Sequence, residues 1–325
     1  MSETAEIAKI AELAASNLFE VVGWEQEGGI NQDWACSNKV KHDRKGKRAT
    51  HPTDAVYRYF DPYRGELVYW VVDFKSYAIG SIKKDTLAPA LRSMVHTVEC
   101  ANSGPHWSKK YAITEATYRV DGMVFLYNHD GKLEETFPEE VPSYIPEDLH
   151  PTTDDQRVVL LGPRRLRYLL SVANDIERGA RKGKLLEDFQ FFYPDNQMHR
   201  PTRTQGTTAT LEALLGPFVF LACRDGSHVV YYDGPGNHTD EFKLIFDMLF
   251  RLGLMKAPVQ IRMGRAADVA HEIFPQSRNA FAAEFQQSGI VKRMAGVTMK
   301  PVLKVVEDFA NIKVGMDPRN THDSL

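Results

Sequence analysis

The sequence predicts a mixed α/β fold, and three observations carry that reading. Apolar runs rich in β-branched and aromatic residues, such as Glu66–Phe74 (ELVYWVVDF), alternate with stretches whose apolar residues recur at helical spacing. The first 130 residues read in the order helix, strand, strand, strand, helix, strand, which mixes a hairpin with crossovers. Across the 325 residues, 43% are apolar and 26% charged, enough for a packed core and too apolar for a disordered chain.

Taken in order, residues 4–22 place Ile7, Ile10, Leu13 and Val21 at helical spacing, with Asn17 interrupting the stripe. A short apolar piece follows at Trp34–Cys36. Residues 39–48 (KVKHDRKGKR) form a basic, glycine-containing loop. Ala55–Phe60 reads as a strand, DPYRG at 61–65 as a turn, and Glu66–Phe74 as the next strand. Residues 84–101 set Leu87, Leu91, Met94 and Val98 on one helical face, and Met123–Tyr127 is a strand closed by an HDG turn. Further on, the strand-like runs Val158–Leu161, Phe189–Tyr193, Phe218–Cys223, Val229–Tyr232 and Val259–Met263 alternate with helical runs at 163–180, 240–255 and 265–287.

Residues 133–156 (LEETFPEEVPSYIPEDLHPTTDDQ) hold eight carboxylates, four prolines and no Lys or Arg. Proline at that density blocks a helix, and like charges extend the backbone. The segment is expected to be an exposed linker between a unit over 1–132 and a second α/β unit over 157–325. A long surface insertion within one domain is the alternative.

Several classes are excluded. No apolar run approaches the ~20 residues of a membrane helix. The acidic, amphipathic N-terminus is not a signal peptide, so a reducing cytoplasm is the expected compartment. Cys36, Cys100 and Cys223 are odd in number and far apart, which excludes a disulfide framework and a CxxC-type zinc site. His96 and Cys100, four apart on a helix, lack a second chelating pair and read as packing. A net charge of −3 excludes a globally basic coat but not a basic groove. There is no Walker loop, dinucleotide fingerprint, G-x-S-x-G elbow or HExxH motif, so any ATP-driven step belongs to a partner chain.

The chemistry lies in the carboxylates. Of four Asp/Glu-x-Lys triplets, only Asp73-Phe74-Lys75 closes an apolar strand, where residues two apart share a face. A turn centred on Tyr63-Arg64 pairs residues whose numbers sum to 127, which sets Asp54 opposite Asp73 with Cβ atoms about 5 Å apart. Two carboxylates that close repel unless a proton or cation lies between them, and oxygen ligands favour Mg²⁺ or Mn²⁺. A bulge at Gly65 is the feature that shifts this register. The alternative is a strand-end ion pair of Asp73 with Lys75 or Arg58.

The element order, with HPTD at 51–54 and VVDFKS at 71–76, resembles the PD-(D/E)XK nuclease superfamily, the restriction-endonuclease-like fold, over about residues 4–130. Thr53 separates Pro52 from Asp54. The resemblance implies that Asp54 and Asp73 bind a divalent metal, that the Phe74 carbonyl adds a ligand, and that Lys75 orients or deprotonates the attacking water. It also implies a Glu on the first helix. Glu20, seven residues after Leu13, is the candidate, with Glu12 and Glu6 as alternatives. The implied activity is metal-dependent cleavage of DNA, with RNA as an alternative substrate, in bacterial restriction or phage defence. Lys39, Lys41, Arg44, Lys45, Lys47 and Arg48 lead into Asp54 and are placed to grip a phosphate backbone. A partner such as an ATP-driven helicase, or a second copy of the chain, fits the same context. The second unit is open to sensing, target reading or dimerisation. A catalytically inactive module that binds nucleic acid or protein on this fold is the rival reading.

Overall fold

A computed structural model describes residues 3–42, 50–111, 117–132, 156–181, 188–195, 200–284 and 288–302. Its first half runs α1 (Glu3–Val21), β1 (Glu25–Gln26), β2 (Trp34–Ala35), α2 (Lys39–His42), β3 (Thr50–His51), β4 (Ala55–Asp61), β5 (Glu66–Tyr77), α3 (Lys84–Ser103), α4 (Pro105–Lys110), β6 (Tyr118–Asn128), β7 (Val158–Leu161) and α5 (Pro163–Arg181). The first sheet has the order β1-β4-β5-β6-β7. The β4–β5 pair is a hairpin, whereas β5–β6 and β6–β7 are parallel. Gly65, at φ +70°, supplies the left-handed residue that closes the hairpin, and its N–H donates to the Asp61 carbonyl at 2.8 Å.

Alternation decides which helix each strand face meets. Ala55, Tyr57, Tyr59, Val68, Trp70 and Val72 point to α1 and α5, while Val56, Tyr69 and Val71 point to α3. α1 presents Ala11, Ala14, Ala15, Leu18, Phe19 and Val22 to this core. Its small residues let the helix lie close to the aromatic sheet face. Ile10 and Val21 of the predicted stripe pack at the edge of this core, whereas Leu13 is 50% exposed, so the most buried positions of the helix lie beside the predicted stripe.

β6 is longer than the predicted Met123–Tyr127 because its first half hides a charged pair. Arg119 Nε donates to Asp121 Oδ1 at 2.7 Å, and both residues are buried. The Arg157 N–H adds a second donor to Asp121 at 3.0 Å, which brings the chain back alongside β6 just before β7. The residues 133–155 that the sequence assigns to a linker lie outside the described residues.

The second half contributes β8 (Phe189–Phe192), β9 (Gln205–Gly206), α6 (Leu211–Leu215), β10 (Phe218–Cys223), β11 (His228–Tyr232), α7 (Thr239–Arg251), β12 (Val259–Met263), α8 (Ala270–Glu284), α9 (Ser288–Ala295) and β13 (Val297–Pro301). A second sheet has the order β13-β12-β11-β10-β8-β9. α8 starts later than the predicted 265 because the Ala267 N–H is taken by the Pro235 carbonyl at 2.7 Å.

The two sheets share one apolar core. It takes residues from α1, α5, the inner face of the first sheet and, across from them, Val219, Leu221, Val229 and Tyr231 of the second. The outer face of the second sheet packs on α7, α8 and α9. Sheet membership therefore differs from the boundary expected at 157. β7 extends the first sheet and α5 packs on α1, so residues 158–181 complete the amino-terminal unit. Trp24 Nε1 donates to the Ala209 carbonyl at 2.8 Å, and Arg165 pairs with Asp233 at 2.9 Å, which joins the two halves through buried polar contacts.

Candidate active site

The site forms where the hairpin ladder ends. β4 and β5 pair from Asp61↔Glu66 to Ala55↔Val72, the register in which paired numbers sum to 127. One step further sets Asp54 opposite Asp73. Here the chain leaves the sheet, because the Thr53 and Asp54 carbonyls accept from the Gln32 and Asn31 N–H groups at 2.8 and 2.7 Å. In place of a strand carbonyl, Asp54 Oδ2 accepts the Phe74 N–H at 2.6 Å. In a hydrogen-bonded antiparallel position the N–H and C=O of one residue face the same neighbour. The Phe74 carbonyl is therefore turned to the Asp54 edge of β5.

Asp73 and Lys75 lie on the α3 face of the sheet, between Val71 and Tyr77, while Val72 and Phe74 pack on the α1 side. Lys75 Nζ contacts Asp73 Oδ1. Arg58, the other cation considered for Asp73, is engaged by Glu25 and Glu27 at 3.2 Å each.

Electrostatically the site is an acid pair. Burial is the largest cause that pushes the Asp54 carboxyl up to about 6, and the Asp73 charge adds to it. The Phe74 N–H and the Lys75 charge pull the other way, and the two carboxyls lie within hydrogen-bonding reach of each other. Such a pair is stable with a proton or a cation between its oxygens. With the Phe74 carbonyl at the same edge, every ligand on offer is a hard oxygen, and this donor set fits Mg²⁺ or Mn²⁺. Lys75 offers only donors, so its part is to hold a water or a phosphoryl oxygen beside Asp73.

Glu20 does not join this group. It is exposed, and α1 packs on the opposite face of the sheet from Asp73 and Lys75. The reason is the same misplaced stripe: Glu20 follows Leu13, and Leu13 faces solvent. Glu12 is half-buried and lies near Tyr57, on the α1 side, where burial first and the Glu12 charge second push the Tyr57 hydroxyl up to about 12. The side chain of Glu6 lies outside the described residues.

Of the basic residues, Lys39 is exposed, whereas Lys41 is held in an ion pair with Glu99 of α3. Arg44, Lys45, Lys47 and Arg48 lie outside the described residues. Trp107 is fully buried against Trp34 and Tyr111 and serves the core.

Residues 1–165 match the family model described as the GAPS4 protein PD-(D/E)XK nuclease domain. The chain belongs to this family. The match runs past 133–155 and ends within α5, in step with the placement of β7 in the first sheet. It assigns the nuclease fold to the sheet that carries Asp54, Asp73 and Lys75. No curated protein and no solved structure matches the chain.

Proposed function

We propose that this PD-(D/E)XK nuclease cleaves DNA phosphodiester bonds with Mg²⁺ or Mn²⁺ at Asp54, Asp73 and the Phe74 carbonyl, in the cytoplasm, as part of bacterial antiviral defence. The observation that carries the reading is the Asp54–Asp73 carboxyl pair with Lys75 on the same face. A surface ion pair needs one acid. Here a second carboxyl is placed against the first although its charge is penalised.

Asp54 and Asp73 would hold the cation, which when bound acidifies water and offsets charge on the phosphoryl oxygen. Lys75 is a donor poised next to Asp73, suited to position the attacking water and to balance negative charge as the bond breaks. The basic stretch that ends at Arg48, six residues before Asp54, supplies phosphate contacts. An ATP-driven partner is expected wherever a duplex must be opened.

The test is incubation of the purified chain with plasmid, linear DNA and RNA in Mg²⁺, Mn²⁺ or EDTA. Cleavage of DNA with either cation and none in EDTA is the expected result. Cleavage of RNA alone would move the substrate assignment. No cleavage, together with no thermal shift on adding Mg²⁺ or Mn²⁺, would favour the rival reading, in which the Lys75–Asp73 contact is an inert salt bridge on a binding module.

A further inference from the structure

We propose that Cys36, His42, His51 and Cys100 form a structural zinc site that clamps the segment leading into the active-site acid Asp54. Among the described residues these four make the one group of three or more Cys, His, Asp or Glu side chains gathered closely enough to hold a metal, with ligand atoms all within 4.8 Å of one another. Cys36 and Cys100 Sγ are 3.7 Å apart, and His42 Nδ1 lies 3.6 Å from the first and 3.2 Å from the second. A tetrahedral zinc with two sulfurs and two nitrogens has ligand–ligand edges of about 3.3–3.8 Å. All four residues are buried.

The neighbours set both imidazoles for ligation. His42 Nε2 lies 3.2 Å from Glu99 Oε2, so it carries the proton and Nδ1 turns its lone pair to the two sulfurs. His51 Nδ1 lies 3.2 Å from Thr97 Oγ1, whose own hydrogen is donated to the Ser93 carbonyl at 2.9 Å. Thr97 must therefore accept from His51 Nδ1–H, which leaves Nε2 as the ligating nitrogen. A carboxylate or hydroxyl behind each ligating histidine is the usual support of a metal site.

Close approach of the backbone brings the sulfurs together. A Cβ at Gly104 would stand 2.0 Å from Ser37 Oγ, so glycine at the end of α3 is what admits the 36–38 segment beside Cys100. The four ligands come from β2's end, α2, β3 and α3, and so close three loops at one point. His42 and His51 bracket residues 43–50, which hold Arg44, Lys45, Lys47 and Arg48. His51 stands three residues before Asp54, and Trp34, whose ring is 4.7 Å from His51, donates to Thr53 Oγ1 at 3.1 Å. The metal thus anchors both ends of the basic stretch and the entry into the hairpin.

Metal content tests the site independently of cleavage. The full chain purified without chelators should hold about one zinc per chain by elemental mass spectrometry. Titration of the thiols with a mercurial should release it to a chromogenic chelator, and Co²⁺ replacement should give the visible bands of a tetrahedral thiolate site. Cys36→Ser with Cys100→Ser should lose the zinc, whereas Asp73→Ala should keep it, which separates this site from the nuclease centre. If the double serine variant fails to fold, the mercurial and cobalt measurements on the wild type still decide. Wild-type chain that holds less than about 0.1 zinc after exposure to excess Zn²⁺ and gel filtration would overturn the site. So would a Cys36–Cys100 disulfide in the peptide map of the purified protein.

Discussion

His51 and Asp54 stand three residues apart, yet each belongs to a proposed metal centre, and the two are of opposite character. Asp54 joins Asp73 and the Phe74 carbonyl at a half-open sheet end, with hard oxygens and a lysine alongside. His51 joins two thiols and a second imidazole in a closed cluster, with no lysine or arginine among the ligands. Hard, partly solvated ligands suit a cation that exchanges and meets substrate. Soft, buried ligands with four protein donors leave no open position and suit a cation that holds the fold. One short segment between β3 and β4 therefore ties the position of the reactive centre to the integrity of the inert one.

Metal withdrawal should separate the two centres most strongly. Brief EDTA treatment should abolish cleavage, a loss of about 1,000-fold or more, while thermal melting moves by only about 2 °C. Exhaustive removal of zinc should lower the melting temperature by about 10 °C or more in the same preparation. Equal effects of the two treatments on melting would break the distinction.

Carboxylates on neighbouring strands offer the next contrast. Asp121 is buried against Arg119 and accepts from the Arg157 N–H, so Asp121→Ala strands a buried guanidinium. A cost of about 3–5 kcal/mol in chemical denaturation is expected. Asp73→Ala relieves repulsion on Asp54 and should leave metal-free stability unchanged or slightly raised.

A smaller effect follows from Asp54 itself. Its folded carboxyl keeps a proton to about pH 6, against 3.8 for an ordinary aspartate. The native state thus binds more protons in that window, and metal-free stability from this group is full below about pH 4 and lost as pH rises through 6. The change is on the order of 1–3 kcal/mol. Asp54→Asn should flatten that slope in urea melts taken from pH 4 to 7. An unchanged slope would place the acid pair elsewhere.

What was legible in the sequence follows from the distance over which each feature is made. The hairpin is local: its turn residues and period-two strands give the register that ends at Ala55 and Val72 and, one step further, sets Asp54 opposite Asp73, before any tertiary contact is known. Glu20 lies off the site because the helix buries small residues, Ala11, Ala14 and Ala15, whose weak hydropathy hides the buried stripe behind Leu13. β7 joins the first sheet by parallel pairing across 133–155, a non-local contact that composition cannot show. The Cys/His cluster was hidden for the same reason. Its ligands at 36, 42, 51 and 100 follow no motif spacing, and the helical pair His96 and Cys100 points to a different partner. His96 stacks on His42 at 4.6 Å, behind the cluster rather than in it. A residue-level signal existed in the nearness of Cys36, His42 and His51 along the chain, but the fourth ligand comes only with the fold.

The central claim is that Asp73 and Lys75 act together on a scissile phosphodiester. Cleavage of DNA by wild type, Asp73→Ala and Lys75→Ala, at matched folded concentration with Mg²⁺ or Mn²⁺, tests it most directly. Asp73→Ala should lose both cleavage and the thermal shift on adding the cation. Lys75→Ala should lose cleavage by about 100-fold or more while it keeps that shift, since lysine is no ligand. Wild-type cleavage that persists unchanged in both variants would contradict the account.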